Sequence, residues 1–306
     1  MYHRFTESET AGLCSRNTFL KQVRYIRHNY RALTLAELAS CIKKQKPVPA
    51  NAVVITVDDG YEDFYRFAYP ILKEEGVPAT FFVATGFVNR DLWLWTDQVG
   101  WLLRKEFVVP ESKQISGFNV KPGRYDNVRR LSLRNALLAH LLTIPDDEKH
   151  ECIAELSNIT CRPLPTESPE EFAAVTWQQL QEMQDNGIEI GGHTVTHPSL
   201  GQVDYARAKQ EIVGCMSDLT ENLGDRPRTF CYPNGMPSDF QSFLPGLIAD
   251  AGFVGACVAF PDSLGCRNLF AIRRHSSGEN WFQFEKAISG MELLGHRLRG
   301  TDRLVG

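Results

Sequence analysis

Between residues 52 and 84 the order of apolar runs and turn residues narrows the fold more than any other part of the chain. A β-branched run, Ala52-Val53-Val54-Ile55-Thr56-Val57, ends in Asp58-Asp59-Gly60. A stretch with helical spacing follows over 64–75, Gly76 stops it, and Ala79-Thr80-Phe81-Phe82-Val83-Ala84 forms a second apolar run. β-branched and aromatic runs bounded by turn residues read as buried strands. Strand, turn, helix, strand is a βαβ unit, which calls for parallel strands with helices packed outside them. In such folds the chemistry gathers at the C-terminal ends of the strands. Asp58 and Asp59 stand at such an end.

The flanking sequence extends this α/β reading. Helical spacing over 15–30 puts Phe19, Val23 and Ile26 on one face behind a Ser15 cap, and Thr34 with Glu37 forms a capping box that opens a helix to Lys43. Regular alternation resumes with a helix over 176–186, capped by Thr176 and stopped by Gly187, and with the strand Ile188-Glu189-Ile190-Gly191-Gly192, which runs into His193. Helices are expected over 202–223, 239–251 and 281–294, and strands over 229–232, 253–259 and 269–274. The middle, about 87–172, breaks the rhythm. It holds Trp93, Trp95 and Trp101, an irregular Pro/Gly/Lys stretch near 109–124, and helical segments around 129–142 and 146–157. The chain therefore reads as a single domain over 1–306 carrying a mainly helical and irregular insertion at about 87–172.

Composition excludes several classes. With 33 basic against 37 acidic residues the net charge is −4, so the basic face of a nucleic-acid binder is missing. No apolar run approaches the ~20 residues of a spanning helix, and Met1-Tyr2-His3-Arg4-Phe5 has neither the charged nor the apolar region of a signal peptide. The eight cysteines show no CxxC and no regular spacing, which suits free buried thiols in a reducing compartment. The expected location is the cytoplasm, or the periplasm or exterior if a signal has been removed. Oligomeric state stays open.

Three segments carry the chemistry. Asp58-Asp59-Gly60 is ordinary turn material in its Asp-Gly, but two adjacent carboxylates repel and no turn requires both. His193-Thr194-Val195-Thr196-His197 leaves a strand and meets Pro198, so its two imidazoles lie on a loop rather than one helix face; either alone reads as a structural histidine. Phe230-Cys231-Tyr232-Pro233-Asn234-Gly235 ends a third strand in what is, by itself, a β-turn. An Asp plus two His is a sufficient ligand set for a divalent ion that keeps open positions for water and substrate. The second Asp is then free to act as a base.

Taken together the three segments resemble the motifs of the polysaccharide deacetylase family, the NodB-homology domain: Thr-Phe-Asp-Asp-Gly, then His-Ser/Thr-x-x-His, then an Arg-Pro-Pro-Tyr or Tyr-Pro-Tyr-Gly turn. Tyr2-His3-Arg4, the Gly76–Val83 stretch and Gly187–His193 fit the same resemblance, which covers the chain apart from the insertion. It implies a distorted (β/α) barrel, often of seven strands, with zinc as the usual metal. By position, Asp59, His193 and His197 would hold the metal, Asp58 would be the catalytic base, and the Tyr232 backbone N–H would bind the oxyanion. The implied reaction is hydrolysis of N-acetyl groups (O-acetyl groups as second choice) of a carbohydrate, a surface polysaccharide or its precursor.

This chain departs from the family pattern in two places. Cys231 stands where many members have Arg, so the Arg that orients the base is sought at Arg274, with Arg273 as the competing register. The C-terminal Leu-x-Leu-His motif that supplies a general acid is not recognisable, and His275 and His3 are the substitutes. The tryptophans offer either an aromatic wall for a sugar or core residues. A cyclic amide or imide hydrolase on the same fold, and a family member that binds glycan without turnover, are the alternatives.

Overall fold

A strand buried on both faces needs neighbours on both edges, and the central sheet meets that need with five short parallel strands. The computed structural model describes residues 1–262, 265–277 and 280–299. The strands are β1 (Thr56–Val57), β2 (Ala79–Val83), β3 (Ile188–Gly192), β4 (Phe230–Cys231) and β5 (Ala256–Cys257), in the spatial order β5-β4-β3-β2-β1. All four pairings are parallel, and the longest runs from Ile188 opposite Ala79 to Gly192 opposite Val83. The sheet curls into a half-barrel, extended by a parallel bridge from Tyr2 to Val57 on one edge and from Cys257 to Ile272 on the other.

The expected strand over 52–57 changes partners midway. Ala52–Val54 pairs with Arg31–Leu33, and after Ile55 the chain joins β2 instead. The helix expected over 64–75 begins as a π-helical turn, Phe64–Ala68, before the α-helix Tyr69–Glu75. Pro70 has no N–H for the Arg66 carbonyl, and the preceding Tyr69 N–H reaches back five residues to Phe64 O. Ser15, Thr34 and Thr176 all cap as the sequence indicates, the last two with complete capping boxes. The 202–223 helix starts later, at Tyr205, behind the Asp204 cap, and the 239–251 helix is confined to Leu244–Asp250. Of the strand expected over 269–274 only the bridge at Ile272 forms. The helix expected over 281–294 is two, Trp281–Ile288 and Met291–Arg299, broken at Gly290, whose φ of 73° suits glycine.

Between β2 and β3 the chain makes an excursion with a core of its own. Trp95, Val99 and Leu102 of the helix Trp95–Leu102 pack with Leu133, Leu137 and Leu141 of the helix Asn127–Leu141 and with Cys152, Ile153 and Leu156 of Asp146–Thr160. The stretch read as irregular is two antiparallel ribbons, Phe107–Val109 with Gly123–Tyr125 and Lys113–Ile115 with Phe118–Val120. Trp93 and Trp95 are only 4% and 3% exposed. They are core residues, not a sugar-facing wall. All eight cysteines are free thiols, but Cys161 and Cys266 are exposed rather than buried. Among the described residues no helix is long and apolar enough to cross a membrane.

Candidate active site

Two strand ends and one inward-turned arginine build the site. At the end of β1, Asp58 donates its backbone N–H to Tyr2 O and turns its side chain into the barrel, where it is 3% exposed. Arg274 grips it with both arms: Nη1 to Oδ1 at 2.7 Å and Nη2 to Oδ2 at 2.8 Å. The guanidinium is itself held by Val258 O, Thr56 Oγ1 and the Cys231 sulfur. Burial pushes the Asp58 carboxyl up, but the charge and hydrogen bonds of Arg274 outweigh it and hold the group at about 2. Arg273 faces elsewhere, pairing with Asp262 at 2.9 Å, and it is Arg274 that meets Asp58. Cys231 occupies the family's Arg position and lies 3.7 Å from Asp58 Oδ2; burial first of all pushes its thiol well above the ordinary range.

Asp59, the next residue, has φ 82°, an uncommon left-handed conformation that Asp tolerates better than most residues. It swings this carboxylate away from Asp58 and toward the second loop. There Thr194 (φ 67°) and His197 (φ 59°) are also left-handed, a concentration of backbone strain typical of functional sites. At the end of β3 the Gly191-Gly192 pair is obligatory: a Cβ on Gly191 would lie 2.6 Å from the Phe82 ring. The loop is held from behind by Glu211, a buried carboxylate on the helix Tyr205–Leu223. It accepts the Val195 and Thr196 backbone N–H groups and the Thr196 hydroxyl, and pairs with Arg207 at 2.9 Å. Glu211 was missed in the sequence; its one signal is a charged residue on the core-facing side of that helix.

The Nε2 atoms of His193 and His197 each lie 3.5 Å from Asp59 Oδ1. That is too long for charge-assisted hydrogen bonds, which run at about 2.7–2.9 Å. It matches the separation of about 3.4 Å between ligand atoms bonded at about 2.1 Å around a tetrahedral ion. His193 donates from Nδ1 to Cys231 O at 2.8 Å, because a carbonyl can only accept, and so turns the Nε2 lone pair toward Asp59. Burial lowers the His197 pKa and favours the neutral, ligating ring. These three side chains fit a divalent cation. A second grouping, Asp58, His193 and Cys231, also lies within 4.8 Å. It makes a poorer donor set, since Arg274 takes both Asp58 oxygens and the Cys231 thiol resists ionisation.

Of the remaining expected residues, one joins the site and two do not. His3, brought to the end of β1 by the Tyr2–Val57 bridge, has Nε2 at 3.8 Å from Asp58 Oδ2 with its side chain half exposed. His275 lines a different cavity, with Leu35 and Ile288, from the one that contains Asp59. The Tyr232 backbone N–H, expected to bind an oxyanion, is committed to Cys257 O at 3.2 Å in the β4–β5 ladder, and its hydroxyl to Phe270 O. That expectation is corrected: the group has no hydrogen left to donate. At the same turn, Asn234 Nδ2 is a buried donor without a partner.

A curled parallel sheet with an Asp–His–His cluster and a buried Asp–Arg pair at its strand ends defines an α/β barrel whose strand-end cluster fits a divalent cation. The family model for polysaccharide deacetylases matches residues 45–131 and 146–241, and the chain belongs to that family. The gap in the match falls inside the insertion. A poly-beta-1,6-N-acetyl-D-glucosamine N-deacetylase of Staphylococcus aureus is 40% identical over 78 residues, a stretch that spans 25% of this chain and only 27% of that protein. Two solved structures share the distorted-barrel fold at 18% identity and a TM-score of 0.56. They are the Streptococcus pyogenes deacetylase PplD in complex with acetate, covering 89% of each chain, and IcaB from Ammonifex degensii, covering 94% of each.

Proposed function

We propose that this chain is a zinc-dependent deacetylase that hydrolyses N-acetyl groups of a carbohydrate, a surface polysaccharide or its precursor. The observation that carries this reading is the convergence of Asp59, His193 and His197 on one point with the Arg274-bound Asp58 beside them. The names of the family and of the staphylococcal relative support the substrate class. A bound ion of this type polarises the acetyl carbonyl and acidifies a water.

The chain's own residues supply the rest. Asp59, His193 and His197 form the ligand set and are held in shape by Cys231 O and Glu211. Asp58 stays ionised at any working pH and is the acceptor for the water's proton. Arg274 takes one lone pair from each carboxylate oxygen and the Cys231 thiol donates to Oδ2 as well, so Oδ1 keeps a lone pair for that transfer. His3 is our candidate donor to the departing amine, since it stands at the open edge of the site beside the base. Collapse of the tetrahedral intermediate then breaks the C–N bond, and acetate and a free amine leave.

The test is acetate release from N-acetylglucosamine oligomers, O-acetylated xylan and small cyclic imides, on protein stripped of metal and reloaded with zinc. Zinc-dependent acetate from a glycan is expected. Ring opening of an imide without acetate release, or silence on every glycan with one zinc bound per chain, would overturn the reading.

A further inference from the structure

Asp97 is the one acidic side chain that the insertion buries at the mouth of the barrel. It sits in the first turn of the helix Trp95–Leu102, is 8% exposed, and lines a cavity of about 580 Å³ that also contains Asp59, Arg4, Tyr61 and Arg134. Tyr61, two residues beyond Asp59, donates its hydroxyl to Asp97 Oδ2 at 2.5 Å. The Tyr61 ring packs against the Arg4 guanidinium 3.9 Å away and edge-to-face with Phe87 at 5.4 Å. Arg4 in turn pairs with Asp63 and donates to Glu171 O. One carboxyl oxygen is therefore positioned rigidly through Tyr61. The other makes no hydrogen bond, yet it is not among the buried polar atoms left without a partner, so it opens onto the cavity.

Holding a carboxyl in this place is costly unless its free oxygen is used. Tying the insertion to Tyr61 alone would need only an acceptor, which an amide also provides. Burial pushes the Asp97 carboxyl up to about 7, against the opposing pull of Tyr61 and Arg4, so much of it is neutral near pH 7. A neutral acid offers both a donor and an acceptor, the complement of an alcohol; an ammonium group would need the ionised form.

We propose that Asp97 is a substrate-recognition residue: its free oxygen binds a ring hydroxyl of the sugar whose acetyl group is at the Asp59–His193–His197 centre. This rests on the deacetylase reading and assigns to the insertion the wall that distinguishes a sugar from any other acetylated compound. Asp97 does not touch the reacting bond, so its effect falls on sugar substrates and not on the hydrolytic step itself. Tyr61 orients the carboxyl, and the Arg4 cluster orients Tyr61.

The experiment compares wild type with Asp97→Ala on three probes: N-acetylglucosamine oligomers, the same oligomers lacking single ring hydroxyls, and 4-nitrophenyl acetate, which has no sugar. Asp97→Ala is expected to lower kcat/KM on the oligomer by about 10- to 100-fold, as expected for an unpaired buried hydrogen-bonding group. The ester should change by less than about twofold, because nothing in it contacts Asp97. Removing the recognised hydroxyl should cost wild type a similar factor and cost Asp97→Ala nothing more. Equal losses on oligomer and ester, or hydroxyl deletions that cost both proteins the same, would overturn the proposal and leave Asp97 a structural tie. Should Asp97→Ala fail to fold, Asp97→Asn keeps the volume and the Tyr61 acceptor but offers the hydroxyl donors only; the hydroxyl deletion should then cost it less than it costs wild type, and an equal cost would overturn the proposal. Wild type that cleaves the ester but no glycan would overturn the deacetylase reading itself, and the role of Asp97 with it.

Discussion

Two buried aspartates, one on the barrel and one on the insertion, are shifted in opposite directions. Asp58 at the end of β1 is kept near 2 by Arg274, while Asp97 on the insertion is lifted to about 7 by burial that Arg4 and Arg134 do not offset. The residue type and the degree of burial are alike, and only the partner differs: a bidentate guanidinium against a phenol. A carboxylate clamped in its charged form can only accept hydrogen bonds, whereas a carboxylic acid can also donate one. The barrel end thus carries a clamped carboxylate and the insertion an unclamped one, two faces of different electrostatic character.

This contrast breaks most sharply at Asp58. Asp58→Asn should reduce kcat by about 10²–10⁴-fold while zinc stays at one per chain, since the ligands are other residues. Turnover near wild type would remove Asp58 as the base, and loss of zinc would place it among the ligands. Arg274→Met should cost about 10- to 100-fold in kcat, the scale of a hydrogen bond to a charged group. It also lets burial lift Asp58, so the acid limb of the pH–rate profile moves to higher pH. In wild type the folded pKa of Asp58 lies below its unfolded value, so its contribution to stability is present above pH ~4 and lost as pH falls through about 2. An unmoved acid limb in Arg274→Met would show that something else holds the carboxylate.

Asp97 has the opposite sign and the smallest expected effect. Its folded pKa is raised, so its contribution is full below pH ~4 and is lost as pH rises through about 7. Asp97→Asn should therefore flatten the fall of unfolding free energy between pH 4 and 7, by at most about one proton, or ~1.4 kcal/mol per pH unit. Urea titrations of the two proteins across that range measure it. Parallel pH curves would mean that Asp97 is ionised like an exposed carboxyl, and the two aspartates would no longer differ.

The barrel was legible because its signals are local. The β-branched run before Asp58, the apolar stretch over 79–84 and the glycines before His193 each mark a buried strand and its end. Thr34 and Thr176 cap helices through side chains three residues from their partners. The insertion was less legible. Its ribbons are three-residue strands, too short to show alternation, and its tryptophans look the same in sequence whether they face a sugar or a core. The split of the last helix turns on Gly290, and the shift to a π-turn before Pro70 on one missing N–H.

What the sequence determined by itself is the set of groups available at three strand ends, Asp58, Asp59, His193 and His197 among them, because strand and turn signals extend over only a few residues. Which of those groups has a free hydrogen or a charged partner was decided by the tertiary structure. The Tyr232 N–H was lost to the β5 ladder, Arg274 rather than Arg273 turned inward, and Asp97 met Tyr61 across 36 positions of sequence. Hydrogen bonds and burial depend on what packs alongside, and residues that distant in sequence carry no local mark of one another.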